Sequence, residues 1–163
     1  MLEVLFGAIV MAIGFMGLIG LVTAAIASNN RNKLDSTGTM LTQAVVEQIN
    51  STIVGTGTAT ITDCNGTTFN IATAVGGAAL TGANIDFSEA SPPTNYHMDF
   101  AVCPVAQANH YDVRWNVQQM VNVAQPSGNV YLITVGARLR GSGAGGNKFF
   151  AFPVTLRTYA SPQ

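Results

Sequence analysis

The sequence predicts an α+β protein, in which a long N-terminal helix carries a small antiparallel sheet on its second half. Three observations lead there. Residues 4–30 contain no charged side chain and read as apolar or glycine almost throughout. Beyond them, residues 34–53 keep a narrow apolar stripe at helical spacing on a polar surface. Finally, residues 110–159 read as three long strands joined by turns, an antiparallel meander.

The helix comes first. At 1.5 Å rise per residue the run VLFGAIVMAIGFMGLIGLVTAAIA spans roughly 36 Å, enough to cross the hydrocarbon of a bilayer. No proline, and no glycine followed by a turn, separates it from Leu34, Leu41, Val45, Gln48, Ile49, Thr52 and Ile53, which fall close to i, i+4, i+7 spacing. One helix is therefore expected from about residue 2 to residue 54, on the order of 80 Å long, with the glycines at 55 and 57 ending it. The chain divides accordingly into a hydrophobic helix (1–30), its amphipathic continuation (31–54) and a β-rich globular part (55–163). The segments 58–62 and 67–72 read as two short strands around Asp63-Cys64-Asn65-Gly66, with Asn-Gly as the hairpin signal. Residues 74–83 are small and glycine-rich, a loop or a loose packing layer, and 88–95 with Pro92 and Pro93 form a connector. Strands are expected at 96–102, 110–123, 130–140 and 148–159. In the second of these Tyr111, Val113, Trp115 and Val117 share one face, and Asp112, Arg114 and Asn116 the other.

Composition limits the function. Charged residues are 9% of the chain, against a usual quarter, and the net charge is −1. No basic face exists to hold a phosphate backbone, so nucleic acid is not an expected partner. A chain so poor in charge and rich in Thr, Asn, Gly and Ala suits a subunit covered by copies of itself; an exported, low-charge β protein is the plainer reading. The ordered signatures of a nucleophile elbow, a phosphate loop or a zinc-spaced cysteine set do not occur, so neither an enzyme nor a cofactor is expected. Two His-x-Asp pairs, His97 with Asp99 and His110 with Asp112, would each share a strand face and together offer metal ligands. They are expected instead to be exposed or edge polar residues, and no metal is assigned.

Glu3 stands at the outer edge of the apolar run, where a carboxylate among lipid tails costs on the order of 3 kcal/mol and must be paired or functional. The plainer alternative is a carboxylate near the headgroups at the start of an anchor. Gly14, Gly17 and Gly20 recur every third residue. They permit close helix–helix approach, and they also weaken the helix, by about 3 kcal/mol relative to alanine. Asn50-Ser51-Thr52 and Asn65-Gly66-Thr67 satisfy the N-glycosylation pattern, making Asn50 and Asn65 candidate glycan acceptors.

The opening MLEVL at residues 1–5, followed by a small-residue apolar helix with AIG at 12–14, resembles the mature start of type IV pilins. It is most similar to the minor-pilin branch, whose processed chains open Phe-Ser-Leu-Leu-Glu-Val. YDVRWNV at 111–117, the Val/Ile/Thr strand at 130–135 and VTLRTY at 154–159 resemble the same branch. The likeness covers both ends and not residues 55–109. Two departures stand out: no basic leader ending in glycine precedes the apolar run, as in processed chains, and Glu3 lies two positions nearer the start than the family pattern places it.

The resemblance implies a structural subunit, held in the cytoplasmic membrane and then polymerised through its apolar helix into an extracellular type IV pilus-like filament. The partners it implies are copies of the chain, other pilins and the assembly machinery. In it Glu3 pairs with the terminal ammonium of a neighbouring subunit, and the helix opens near Gly14, Gly17 and Gly20 in the filament. It also puts the β-rich part on the extracytoplasmic side, where Cys64 and Cys103 are expected to form a disulfide. A minor or tip pilin and a type II secretion pseudopilin are the alternatives within the class. A single-span membrane protein displaying a β-rich binding domain is the alternative outside it.

Overall fold

The computed structural model describes residues 2–52, 57–103, 109–120, 130–140 and 153–161. The architecture is α+β: one long N-terminal helix and antiparallel sheets. The chain forms two compact units, Met1–Leu34 and Asp35–Gln163. The first is helix alone.

Helix α1 runs unbroken over Leu2–Asn50, about 74 Å at the standard rise. It stops short of the expected end at residue 54; residues 53–56 lie outside the described ones. The cause is local. Asn50, Ser51 and Thr52 are poor helix formers, and the Ser51 and Thr52 hydroxyls both turn back to donate to the Gln48 carbonyl, at 2.9 and 3.0 Å. The last backbone bond tightens to an i−3 pattern, Thr52 N–H to the Ile49 carbonyl at 3.3 Å.

Within the second unit, α1 buries Leu41, Thr42, Val45, Val46 and Ile49. Of the predicted stripe, Leu41, Val45 and Ile49 are buried, Leu34, Gln48 and Thr52 are half-buried, and Ile53 is outside the described residues. Gly38 is also buried; a Cβ there would stand 3.6 Å from Val154 Cγ2 and 3.7 Å from Tyr111 Cε1.

Strands β1 (Thr58–Thr62) and β2 (Thr68–Ala72) pair antiparallel as a hairpin. Its turn is built by Asp63, whose Oδ1 accepts the N–H groups of Asn65 and Thr67 at 2.9 and 2.8 Å. Gly66 takes φ +82°, which suits a residue without Cβ. Residues 74–83, expected to be a loop or a loose packing layer, hold two two-residue strands, β3 (Gly76–Gly77) and β4 (Leu80–Thr81), and β5 (Asn84–Ile85) follows directly.

The main sheet contains β6 (His97–Val102), β7 (Asn109–Met120), β8 (Val130–Leu139) and β9 (Val154–Ala160). Each pairs antiparallel with the next, so the meander has four strands where three were expected. β3 lies on β7 beyond the end of β6, pairing at Val117 and Asn116. One face carries Tyr111, Val113, Trp115, Val117, Ile133 and Val135 into a core with the helix stripe and with Ala59 and Ile71 of the hairpin. The other face is covered over its middle, while Gln118, Arg157 and Tyr159 on it stay exposed. Residues 78–90 form the cover, with Ile85 buried and Gly136 so close beneath that a Cβ would meet Ile85 Cγ1 at 2.9 Å and Phe87 Cζ at 3.1 Å.

Candidate functional site

The candidate site is the first part of α1. Every described side chain from Glu3 to Lys33 is exposed. Val4 is 77% exposed, Met16 75% and Leu21 70%, whereas Val45 and Ile49, further along the same helix, are fully buried. The helix is long and apolar enough to cross a membrane by length and composition. Such a surface in water is far larger than the apolar patches soluble monomers tolerate. Glu3 lies in the first helical turn, where a carboxylate meets the helix's own unpaired N–H groups and positive dipole end. Gly14, Gly17 and Gly20 are helical and have open space where a Cβ would be. Three residues on, the Thr23 hydroxyl donates to the Ile19 and Gly20 carbonyls, at 3.1 and 2.9 Å, satisfying itself without water. Arg31 and Lys33 follow the apolar run.

The β-rich part is tied together at Trp115. Its indole N–H donates to the Ala72 carbonyl at 2.9 Å, joining the hairpin to the sheet. Its backbone N–H donates to Tyr96 and its carbonyl accepts from Ala78. Gly77 crosses directly over this strand at φ +125°; a Cβ there would run into the Trp115 carbonyl and stand 2.8 Å from Asn116 Cα. Cys64, in the hairpin turn, and Cys103, just after β6, are disulfide-bonded with Cα atoms 5.9 Å apart. The bond thus fastens the hairpin tip to the sheet's edge.

The two His-x-Asp pairs meet only through Asp99 and His110. His97 is exposed, with Nδ1 3.0 Å from the Pro93 carbonyl. Asp99 accepts from Arg140 at 2.8 Å, and His110 Nδ1 stands 3.5 Å from its other oxygen. Asp112, expected at the surface or an edge, is buried instead. It meets Arg114 through two bonds of 2.9 Å and Arg138 through one of 3.1 Å. Arg114 also donates to the Asp86 and Glu89 carbonyls at 3.3 and 2.9 Å, and Phe87 lies against both guanidinium groups, 5.4 and 4.8 Å from ring centre to Cζ. Asp112 and Arg114 are both buried there while Arg138 stays partly exposed, so the carboxylate is held between two arginines. Among the described residues no three His, Cys, Asp or Glu side chains stand together as a metal site requires.

Position in the sequence hid this pair, because alternation along β7 assigns Asp112 and Arg114 only to the face away from the helix. The signal available was their i, i+2 spacing on a long strand, with Arg138 able to pair across. Nearby, hydrogen bonds from the Ser88 hydroxyl and N–H hold the Asp86 carboxyl below its ordinary range. Burial pushes the Tyr111 phenol up, partly offset by a hydrogen bond with Thr37.

Asn65 and Asn50 are both exposed, one in the hairpin turn and one at the last residue of α1. Comparison with known protein families, curated proteins and solved structures finds no match for this chain.

Proposed function

We propose that this chain is a structural subunit that polymerises through α1 into a type IV pilus-like extracellular filament, after residence in the cytoplasmic membrane. The observation that carries the reading is the contrast within one helix: unburied and apolar from Val4 to Ile26, then packed under a disulfide-bonded sheet from Leu41 to Ile49. A lipid bilayer covers the first stretch while the subunit waits, and the same stretch of neighbouring copies covers it in the filament. Glycine at 14, 17 and 20 lets neighbouring backbones approach and lowers the cost of opening the helix where they do. Glu3 is drawn to a neighbour's terminal ammonium, so that both charges cancel in the apolar core.

Electron micrographs of sheared surface material test this. Thin filaments in which mass spectrometry identifies this chain are the expected result, and its abundance there separates a major from a minor or tip subunit. Recovery of the chain only as a monomer in the membrane fraction would instead mean a single-span protein displaying its β-rich part. Glu3→Ala should leave a folded, membrane-inserted subunit that assembles poorly, and Glu3→Gln should behave alike because the charge is lost. Normal filament yield from Glu3→Ala cells would remove Glu3 from assembly.

A further inference from the structure

Two acceptor patterns for N-linked sugar occur in the sequence, and the fold treats them differently. At Asn50-Ser51-Thr52 the backbone is still closing the helix: Ser51 N–H bonds to the Glu47 carbonyl at 2.8 Å and Thr52 N–H to Ile49 at 3.3 Å. The Thr52 hydroxyl, which the transfer reaction must recognise, is turned back onto the Gln48 carbonyl at 3.0 Å. At Asn65-Gly66-Thr67 the reverse holds. Asp63 Oδ1 takes the backbone N–H groups of Asn65 and Thr67, the turn is closed by Gly66 N–H on the Asp63 carbonyl at 3.1 Å, and Asn65, Gly66 and Thr67 are all exposed. Nothing but the backbone holds this turn to itself at 65 and 67, so an enzyme can take up the side chains without unfolding the hairpin.

We propose that Asn65, and not Asn50, is an N-glycosylation site. The donor is a sugar linked through phosphate to a polyprenyl lipid. Asn65 Nδ2 forms a bond to the sugar's anomeric carbon, the bond from that carbon to the lipid phosphate oxygen breaks, and the amide proton passes to a base of the transferase. A glycan here supplies hydration to a chain with 9% charged residues and stands next to the exposed disulfide half Cys64. The proposal rests on the reading above in one respect: the β-rich part must face the extracytoplasmic side, where such donors are presented.

Peptide mapping of the full chain, extracted from the envelope of its own cells, is the test. A sugar mass on the peptide containing Asn65, with the Asn50 peptide unmodified, is expected. Thr67→Ala should abolish it and Thr67→Ser should keep it, and both should fold, because the turn uses the Thr67 backbone alone: its N–H on Asp63 Oδ1 and its carbonyl accepting the Asp63 N–H. A bare Asn65 peptide overturns the proposal, as does a sugar mass that persists in Thr67→Ala. Protease added to spheroplasts separates the causes. Digestion of the β-rich part with Asn65 bare rejects the glycan alone, whereas full protection rejects the export on which both readings stand.

Discussion

Gly77 is a residue whose replacement the fold tolerates poorly. Its φ of +125° is a conformation that L side chains rarely adopt, and a Cβ would collide with rigid backbone at Trp115 and Asn116. A clash with a flexible side chain could relax; this one requires β3 to leave β7. Gly77→Ala should therefore cost on the order of 3 kcal/mol, measured as a lowered thermal midpoint of the full chain in detergent. An unchanged midpoint would show that β3 does not hold the sheet edge. Arg114 is another such residue. Removing one member of a buried ion pair leaves a desolvated charge, a loss of about 3–5 kcal/mol, moderated here because Arg138 stays on Asp112. Arg114→Met should also release residues 78–90, since the bonds to the Asp86 and Glu89 carbonyls go with it. Limited proteolysis reads that directly: faster cleavage between residues 78 and 96 is expected, with β7 and β8 still resistant.

At the scale of elements, the hairpin depends on the sheet more than the sheet depends on the hairpin. β1 and β2 pair only with each other among the described strands, and two-stranded hairpins are marginal in water. What anchors them is burial of Ala59 and Ile71, the Trp115 bond to Ala72 and the disulfide. The disulfide spans a separation of 39 residues, for which the chain-entropy model gives at most about 4 kcal/mol. In Cys64→Ser/Cys103→Ser the amides of β1 and β2 should exchange faster with deuterium, while those of β7 and β8 keep their protection. Alkylation of two thiols in the native, unreduced protein would remove the bond from the account altogether. In α1 the same dependence on context appears in reverse. The large apolar side chains from Val4 to Ile26 are exposed, and helical hydrogen bonding is what lipid demands of any segment that spans it.

For the whole molecule, the division at Leu34 and Asp35 predicts separable behaviour. The unit beginning at Asp35 keeps the buried half of α1, the sheet and the disulfide, and leaves the apolar run behind. A fragment of residues 35–163 should be soluble without detergent, and the full chain should require it. The chain's one tryptophan reports folding, because Trp115 is fully buried in the core. Blue-shifted emission from both fragment and full chain is expected. Red-shifted emission from the fragment would mean that the apolar run is needed to fold the rest.

Local pattern was enough for the elements that hydrophobic period and turn chemistry define. Twenty-seven uncharged positions at 4–30, the Asn65-Gly66 turn and the alternation of Tyr111, Val113, Trp115 and Val117 each declare a helix, a hairpin and a core face without reference to distant residues. The α+β class follows from those. What lay beyond reach were the choices made by contact. Residues 78–90 are short, small and aperiodic, and only the approach of Gly136 and the carbonyl bonds from Arg114 make them a second layer. Asp112 reads as a surface carboxylate until that layer removes its water. The end of α1 fell at Asn50 because two hydroxyls captured one carbonyl, a competition too fine for periodicity to register. Period and turn chemistry act between neighbours in the chain, so the sequence carries them openly. Burial of Asp112, Arg114 and Thr134 on the second sheet face depends on side chains dozens of residues apart, and only the folded molecule brings those together.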